Sequence, residues 1–317
     1  MSKVLTIVTS AYKAEPYLEL YFQSILALQG LDQCQVIMVL NDATPKEKKI
    51  ADAYQSKYPA TFKLVYTPRE SIGASTNRGY KMADTIYVVY ADVDDLRPPD
   101  AYIRQIKTLD DNPDVDFTYG DFLDVKNIGD KTGKYIKLPE FDQEKFTLGS
   151  GVGPNHFFRR ELLKKTGYWD EQLRSGGDFE FQVRAAFNCK FKKTEGVLVF
   201  KLQAVQSASQ GVLQPLERTV IEWRYGIYER TDLSYLPDAV RYNISHIWYE
   251  NTWQHLRSFI PNYDDILVQR RKKWFSKGLA HYYQQLEYDK SISKKILGLT
   301  KKTAKSALKK LTPGKFK

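Results

Sequence analysis

The first 91 residues alternate between short apolar runs and segments with helical spacing. Residues 3–9 are apolar and β-branched without alternation, the pattern of a strand buried on both faces of a parallel sheet. A polar break follows, and residues 17–26 then repeat apolar side chains at helical spacing behind Pro16. The same pattern predicts strands at 35–40, 62–66 and 85–91 and helices at 46–58 and 75–83. Strands that alternate with helices predict right-handed βαβ units and an α/β fold with a doubly wound sheet.

The rest of the chain continues this pattern and then changes. It predicts a helix at 100–109, a strand at 115–125, helices at 159–166 and 179–187, and a strand at 197–202. After about residue 210 strand patterns stop, and aromatic residues at helical spacing predict a helical region. We therefore expect an α/β domain over 1–209, a helical C-terminal region over 210–289 and a lysine-rich tail over 290–317.

The excess positive charge is confined to the tail. The 317 residues carry a formal net charge of +10, and residues 290–317 alone hold ten lysines and no acidic residue. The remainder is balanced, so we expect no nucleic-acid partner that binds a basic face of the domain. Ile292, Ile296 and Leu299 recur between these lysines, which predicts a basic amphipathic helix on an anionic membrane surface. The alternative is a solvated or disordered lysine-rich end.

The cysteines and the lengths of the apolar runs predict the cellular compartment of the protein. Cys34 and Cys189 match no paired metal spacing and provide no disulfide framework, which suits a reducing environment. No apolar run approaches the roughly 20 residues that span a bilayer, and the N-terminus lacks the layout of a signal peptide. We expect a cytoplasmic protein that attaches peripherally to the inner face of the cell membrane.

Three carboxylates follow the predicted strand at 85–91. They are Asp92, Asp94 and Asp95, at the strand end where doubly wound sheets bind ligands. Carboxylates so close together repel one another unless a cation or a hydrogen-bond donor compensates them. Oxygen ligands suit Mg²⁺ or Mn²⁺, so the cluster predicts a divalent cation site. The alternative is a solvated acidic loop.

Six segments, in order along residues 3 to about 209, resemble the family 2 glycosyltransferases of the GT-A fold. They are residues 6–12 (TIVTSAY), 39–44 (VLNDAT), 72–79 (IGASTNRG), 90–95 (YADVDD), 157–170 (FFRRELLKKTGYWD) and 176–184 (GGDFEFQVR). The resemblance implies a Rossmann-like, mostly parallel sheet flanked by helices. It also implies a nucleotide-diphosphate sugar donor, a hydroxyl acceptor on a glycan or lipid-linked glycan, inversion at the sugar, and a role in bacterial surface polysaccharide assembly.

The resemblance also implies a donor site. Tyr12 is expected to stack on the base, and Asp42 to accept a hydrogen bond from the uracil ring N–H. Without the resemblance, Asp42 is equally typical of a turn or helix cap, and Arg78 of an exposed helix surface. The full set of donor-binding residues implied is Thr9, Ala11, Tyr12, Asp42, Gly73, Asn77, Arg78, Asp92 and Asp94.

The same resemblance assigns the metal ligands and the base. Asp94 and Asp95 are expected to hold Mn²⁺ or Mg²⁺ on the diphosphate, with Asp95 as the principal ligand. Asp178 is expected to take the proton from the acceptor hydroxyl, which requires either a pKa above the usual ~3.9 of an aspartate or action late along the proton transfer. The alternative is a helix cap, because Ser-Gly-Gly-Asp before an apolar-periodic run is a common helix start.

Several positions depart from the family pattern. The histidine that many relatives carry near the end of the domain is absent from residues 200–209, and Lys201 or Gln203 is expected to substitute. His156 and Trp169 are expected to contact the acceptor or a phosphate, with a packing role as the alternative for His156. Gly177 replaces the acidic residue before the base. The Gln-x-x-Arg-Trp signature of processive synthases is missing, which favours transfer of a single sugar.

Two other functional classes share features with the glycosyltransferase interpretation. An NAD-dependent oxidoreductase shares the doubly wound sheet, but residues 10–14 lack the Gly-x-Gly-x-x-Gly turn after the first strand. A non-catalytic binder of sugar nucleotides or nucleic acid could use the same fold and the basic tail. The joint presence of the acidic cluster and Asp178 argues for the enzyme.

Overall fold

The computed structural model describes residues 3–203 and 213–296, without the side chains of residue 279 and residues 281–296. The chain divides into two compact units, Met1–Asp265 and Ile266–Lys317. The first contains the central sheet, and the described part of the second is helical. Among the described residues, no helix is both long and apolar enough to cross a membrane.

The first unit is organised around one eight-stranded sheet. Its strands are β1 (Leu5–Ala11), β2 (Cys34–Asn41), β3 (Phe62–Thr67), β4 (Tyr87–Tyr90), β5 (Phe117–Val125), β6 (Lys134–Ile136), β7 (His156–Arg159) and β8 (Phe191–Leu202). Their order in the sheet is β3-β2-β1-β4-β7-β5-β6, and β8 pairs with β5. The pairs β3–β2, β2–β1, β1–β4 and β5–β8 are parallel, whereas β7 is antiparallel to both of its neighbours, β4 and β5. The predicted α/β fold with a mostly parallel sheet is confirmed.

The described residues contain ten α-helices. They are α1 (Glu15–Leu26), α2 (Pro45–Lys57), α3 (Ile72–Met82), α4 (Ala101–Asp110), α5 (Gln143–Thr147), α6 (Leu162–Thr166), α7 (Gly177–Asn188), α8 (Leu213–Arg224), α9 (Leu236–Ala239) and α10 (Tyr263–Ile296). The predicted division of the chain at residues 209 and 289 stays a prediction.

Strand β1 is buried on both faces, which explains its continuous apolar sequence. Leu5, Ile7 and Val8 are all fully buried, and they belong to two hydrophobic clusters, one on each side of the sheet. Helix α3 approaches β1 closely at Gly79, where an added Cβ would lie 2.3 Å from Val8 Cγ1. This contact fixes α3 against the sheet, and the first turn of α3 therefore lies at the carboxyl end of the parallel strands.

The structure corrects the prediction that strands stop after residue 210. Strands β9 (His246–Tyr249) and β10 (Thr252–His255) form an antiparallel hairpin. Its two turn residues, Glu250 and Asn251, have φ values of 55° and 56°, the left-handed conformation that a two-residue hairpin turn requires. The alternation of side chains in this stretch was overlooked because its aromatic residues also fit a helical spacing.

A buried ionic network joins α7 to α8. Glu180 and Arg184 pair at 2.8 Å within α7, and Arg224 at the end of α8 pairs with Asp170 at 2.9 Å and with Glu180 at 3.3 Å. All four side chains are fully buried. The Asp170 carboxylate also accepts a hydrogen bond from the backbone N–H of Trp248 at 2.9 Å. The network therefore ties the segment around Asp170 and α7 to the region after residue 210.

We expect Arg224→Met to lower the free energy of unfolding by about 3–5 kcal/mol, because it leaves two buried carboxylates short of a cationic partner. Urea unfolding followed by circular dichroism measures this change. The matched control is Lys164→Ala, which removes an exposed pair with Glu161 and should cost about 0–1 kcal/mol. Equal stabilities of the two variants would contradict the role given to the network.

Candidate functional site

The carboxyl end of β1 separates buried residues from one exposed ring. Thr9 and Ala11 are buried, and the Thr9 hydroxyl shares a 2.6 Å hydrogen bond with the Tyr21 hydroxyl. Tyr12 is 38% exposed, and the Arg69 guanidinium lies 3.6 Å from the centre of its ring. Of the three residues predicted here, Tyr12 alone presents a large surface to a ligand. Arg69, beside that ring, was missed because it belongs to no motif.

The end of β2 holds Asp42 in an unusual conformation. Asp42 has a φ of 55°, and its backbone N–H donates to the Thr67 carbonyl at 2.9 Å. It does not cap α2, because Thr44 occupies that position and forms a capping box with Glu47. Asp42 instead lines a cavity of about 360 Å³, which is bordered by Leu40, Asp42, Ala43, Lys48, Tyr66, Thr67 and Pro68. The helix-cap alternative for Asp42 is therefore wrong.

Asn41 fixes this turn from within. Its side-chain amide donates to the Glu70 carbonyl at 2.9 Å and accepts from the Glu70 N–H at 3.0 Å. The Glu70 carboxylate in turn accepts from Ser75 at 2.9 Å and pairs with Arg78 at 2.8 Å. These bonds connect the loop after β2 to the first turns of α3, and the Arg78 side chain remains 46% exposed.

The middle of α3 packs against the segment that follows α6. The Asn77 side chain exchanges two 2.9 Å hydrogen bonds with the Trp169 backbone and donates a third, also 2.9 Å, to Glu171. An added Cβ on Gly73 would lie 3.2 Å from the Asp170 carbonyl. Asn77 and Gly73 were predicted to contact the donor, but the structure gives both a packing position because their contacts are made within the protein.

The acidic loop after β4 is anchored to the end of β8. The Asp92 carboxylate accepts from the Tyr90 hydroxyl at 2.8 Å, and Asp95 accepts from the Leu202 N–H at 2.9 Å. Asp95 is the most deeply buried of the three, with 6% of its surface exposed, whereas Asp94 is half-buried. The loop is thus held in place by the protein, with Asp94 the more accessible of the two predicted metal ligands.

Burial and mutual repulsion perturb all three carboxyls. Burial raises the pKa of Asp92, and burial together with the charge of Asp92 raises the pKa of Asp94 to about 6. The pKa of Asp95 lies well above its usual range because of burial and then the charges of Asp92 and Asp94. A bound cation would relieve this repulsion.

Within residues 3–203 and 213–296, no three His, Cys, Asp or Glu side chains form a ready ligand set. The raised pKa values of Asp94 and Asp95 show that their charges are poorly compensated by the protein, and their role as metal ligands stays a prediction.

Asp178 lies in the first turn of α7, across from the acidic loop. The cap position is Gly176, which has no side chain to cap with, so the structure does not support the cap alternative for Asp178. Burial, followed by the charge of Asp92, raises the pKa of Asp178 to about 6, and Lys201 acts in the opposite direction. An added Cβ on Gly177 would lie 3.3 Å from the Trp169 ring, so a larger side chain would crowd this position. Asp178, Asp92 and Lys201 therefore lie within electrostatic range of one another.

The remaining predicted residues divide between the core and the surface. His156 is 2% exposed and its Nε2 lies 2.5 Å from Gln182 Nε2, while burial lowers the pKa of its imidazole to about 3. Trp169 is 1% exposed. His156 and Trp169, which were predicted to contact the acceptor or a phosphate, therefore both lie in the hydrophobic core. For His156, this position agrees with the alternative of a packing role. Lys201 and Gln203 are exposed at the end of β8, and the Lys201 ammonium lies 5.7 Å from the Phe122 ring centre.

If Asp178 is the base that the resemblance implies, turnover of a donor should fall on acidification with a midpoint near pH 6, because protonated Asp178 cannot accept a proton. The carboxylate predominates above that pH, so the rate should level off. Asp92 and Lys201 face this group and act on its pKa in opposite directions, and the Tyr80 and Tyr90 hydroxyls lie nearby. Initial rates of nucleotide release between about pH 5 and 8 test this, and a flat profile would contradict it.

Comparison with solved structures identifies the class of fold. Staphylococcus aureus TarS in complex with UDP-GlcNAc superposes with a TM-score of 0.56 at 17% identity, over 73% of this chain and 68% of that chain. The mannosyltransferase PcManGT from Pyrobaculum calidifontis, in complex with GDP-Man and Mn²⁺, superposes with a TM-score of 0.51 at 14% identity, over 92% of this chain and 81% of that chain. The fold is that of the GT-A glycosyltransferases.

Comparison of sequences identifies the family. Residues 6–167 match Glycosyl transferase family 2, and the chain belongs to this family. It is similar to an uncharacterized glycosyltransferase of Methanocaldococcus jannaschii, with 28% identity over 59% of this chain and 67% of that protein. It is also similar to the uncharacterized glycosyltransferase EpsJ of Bacillus subtilis (30% identity, 63% and 62%) and to the minor teichoic acid biosynthesis protein GgaB of that organism (28%, 55% and 20%). The chain thus spans between a fifth and two thirds of the length of these relatives.

Proposed function

We propose that this protein transfers one sugar from a nucleotide-diphosphate sugar, with UDP as the expected nucleotide, to a hydroxyl of a glycan or glycolipid acceptor. The main observation that supports the proposal is that Asp178 lies within electrostatic range of the acidic loop at the carboxyl end of the sheet. The charge of Asp92 reaches Asp178, and the charge of Lys201 acts on both carboxyls. The similar solved structures support the donor class, because TarS was solved in complex with UDP-GlcNAc and PcManGT in complex with GDP-Man and Mn²⁺.

The donor is expected to lie across the ends of β1, β2 and β4. The exposed face of Tyr12 offers a stacking surface for the base, and the carboxylate of Asp42 offers an acceptor for a ring N–H. Arg69, which lies over the Tyr12 ring, would have to share or leave that face when a base stacks there. Arg78, in the middle of α3, is partly exposed beside its partner Glu70 and would supply a cation for the diphosphate.

The chemical step needs a base and a leaving group that can accept charge. Asp178, with a pKa raised by burial, takes the proton from the acceptor hydroxyl as the hydroxyl oxygen attacks the anomeric carbon. The bond from that carbon to the diphosphate breaks in the same displacement, so the configuration inverts. Asp94 and Asp95 would hold Mn²⁺ or Mg²⁺, which neutralises charge on the departing diphosphate. Lys201 supplies a further positive charge on this side of the site.

The biological setting is also part of the proposal. GgaB of Bacillus subtilis is named for minor teichoic acid biosynthesis, and this supports a role in assembly of bacterial surface polysaccharide. A lipid-linked acceptor would explain a membrane contact through residues 290–317. That tail lies largely outside the described residues, since 297–317 are not described, and its amphipathic helix stays a prediction.

We expect truncation after Asp289 to abolish flotation with anionic liposomes at low salt, because each lysine near such a surface contributes roughly 1 kcal/mol. Donor hydrolysis by the truncated chain should equal that of the full chain. Neutral liposomes are the control. Equal flotation of both chains, or no flotation of either at low salt, would contradict the membrane contact through this tail.

The proposed function is tested by incubating the protein with Mn²⁺ and a panel of UDP-, GDP- and dTDP-sugars. Release of the nucleotide from one donor, lost in the presence of a chelator, is the expected result. Binding of a sugar nucleotide without any release, with or without added glycan acceptors, would instead favour the non-catalytic binder.

A further inference from the structure

The loop that precedes Asp178 is held by a carboxylate from another part of the chain. Glu217 of α8 accepts three hydrogen bonds from consecutive backbone N–H groups, those of Arg174 at 2.8 Å, Ser175 at 2.7 Å and Gly176 at 2.9 Å. The Tyr242 hydroxyl donates to the same carboxylate at 3.3 Å. Glu217 is fully buried. Hydrogen bonds from amides to a buried charge are among the stronger ones in proteins, so this contact fixes the loop firmly.

The loop also rests directly on α8. An added Cβ on Gly176 would lie 2.9 Å from Ile221 Cδ1 and 3.6 Å from Glu217 Cβ. Helix α7 begins at Gly177, the very next residue, and Asp178 follows in its first turn. The placement of Asp178 against the acidic loop therefore depends on where residues 174–176 are held. Helix α8 lies beyond residues 6–167, the part of the chain that matches the family.

We infer that Glu217 is a positioning residue for the transfer reaction, which holds the loop of residues 174–176 so that the Asp178 carboxylate faces the donor. This inference rests on the proposed function, in which Asp178 is the base. Glu217 itself is enclosed by the loop amides and Tyr242, so it acts through the backbone. A displacement of about 1 Å in a reacting group can cost ~10²-fold in rate, which is the scale of effect that loss of this contact should produce.

The first test is Glu217→Gln. Glutamine keeps the shape of the side chain, but its NH₂ group would face a backbone N–H that needs an acceptor. The substrate is the sugar nucleotide that the wild-type protein hydrolyses in the donor panel with Mn²⁺. We expect kcat for nucleotide release to fall at least ~10-fold per folded molecule, while KM for the donor and Kd for free nucleotide stay within about twofold.

The matched control is Glu222→Gln on the same helix. Glu222 is also a buried carboxylate, with 1% exposure, but it pairs with Arg218 at 2.9 Å. The kcat of the Glu222→Gln variant should remain within about twofold of the wild-type value, even if its melting temperature changes. If both variants lose kcat in proportion to their loss of melting temperature, the role of Glu217 is merely structural and the inference is overturned.

Gly176→Ala tests the same contact from the loop side and serves if Glu217→Gln does not fold. The φ of Gly176 is −107°, which alanine adopts freely, so the effect comes from the contact with Ile221. We expect the same loss of kcat with KM preserved. If Asp178→Asn loses activity while Glu217→Gln and Gly176→Ala keep wild-type kcat, this inference alone fails. Full activity of Asp178→Asn would overturn both this inference and the proposed base.

Discussion

Asp178→Asn is expected to retain binding of the nucleotide and to lose sugar transfer by at least ~10²-fold, because an amide cannot accept the proton of the acceptor hydroxyl. The affected quantity is kcat for nucleotide release, and Kd for the free nucleotide should be unchanged. Initial rates and calorimetric titration with UDP measure the two. A variant with wild-type kcat would show that another group is the base.

The same variant should not lose thermal stability. The pKa of Asp178 in the folded protein, about 6, lies above its unfolded value of ~3.9, so its protonated form favours folding. That contribution is complete below about pH 4 and is lost as the pH rises through 6. Asparagine has no charge to bury, so at neutral pH the variant should melt at the wild-type temperature or above it.

A true helix cap provides the matched comparison. The Asp142 side chain caps α5 by accepting from the Lys145 N–H at 3.0 Å. Asp142→Ala should lower the melting temperature and leave turnover per folded molecule intact. If Asp178→Asn behaved like Asp142→Ala, with lower stability and full turnover, Asp178 would be a structural residue.

Asp95→Asn is expected to abolish metal-dependent turnover of the donor, and Asp94→Asn to do so less completely. A divalent cation at a phosphate leaving group contributes several kcal/mol, so the loss for Asp95→Asn should reach ~10²-fold or more. Asparagine keeps a side-chain oxygen for the Leu202 N–H, which separates the loss of charge from the loss of that anchor. Nucleotide release as a function of Mn²⁺ concentration measures the effect.

The control for this pair is Asp111→Asn, which removes a carboxylate from an exposed pair with Lys107. It should leave both turnover and its dependence on Mn²⁺ unchanged. Wild-type turnover by Asp95→Asn, with unchanged dependence on Mn²⁺, would show that the metal assignment is wrong. A larger loss for Asp94→Asn than for Asp95→Asn would assign the principal ligand to the more accessible carboxylate.

Strands β1, β2 and β4 could be predicted from sequence because burial on both faces leaves an uninterrupted apolar run, as in residues 3–9. Strand β7 could not, since its four residues, His156–Arg159, run directly into a helical pattern. The hairpin at Glu250 and Asn251 was also missed, although a turn of two residues between alternating segments was a usable signal.

The position of the acidic loop was predictable because charge interrupts an apolar pattern at Asp92 to Asp95, whereas its role in binding a metal stays a prediction. Motif membership alone did not distinguish ligand contacts from packing contacts. Asn77 belongs to a motif, but its side chain forms hydrogen bonds with the Trp169 backbone. His156 was predicted to contact the acceptor or a phosphate because it is a histidine, but its ring is buried. Glu217 carries no local signal at all, because its partners lie about 40 residues earlier and only the tertiary structure brings them together.

The buried network at Arg224 limits how this protein can be recombined with its relatives. A fragment that ends at residue 203 keeps the whole sheet and the acidic loop, yet Asp170 and Glu180 lose a guanidinium that lies between them. A chimera that exchanges the region after residue 210 must therefore carry Asp170, Glu180 and Arg224 from the same parent. The region after residue 210 is not a detachable module, and engineering of this protein has to treat residues on both sides of that junction as one inherited set.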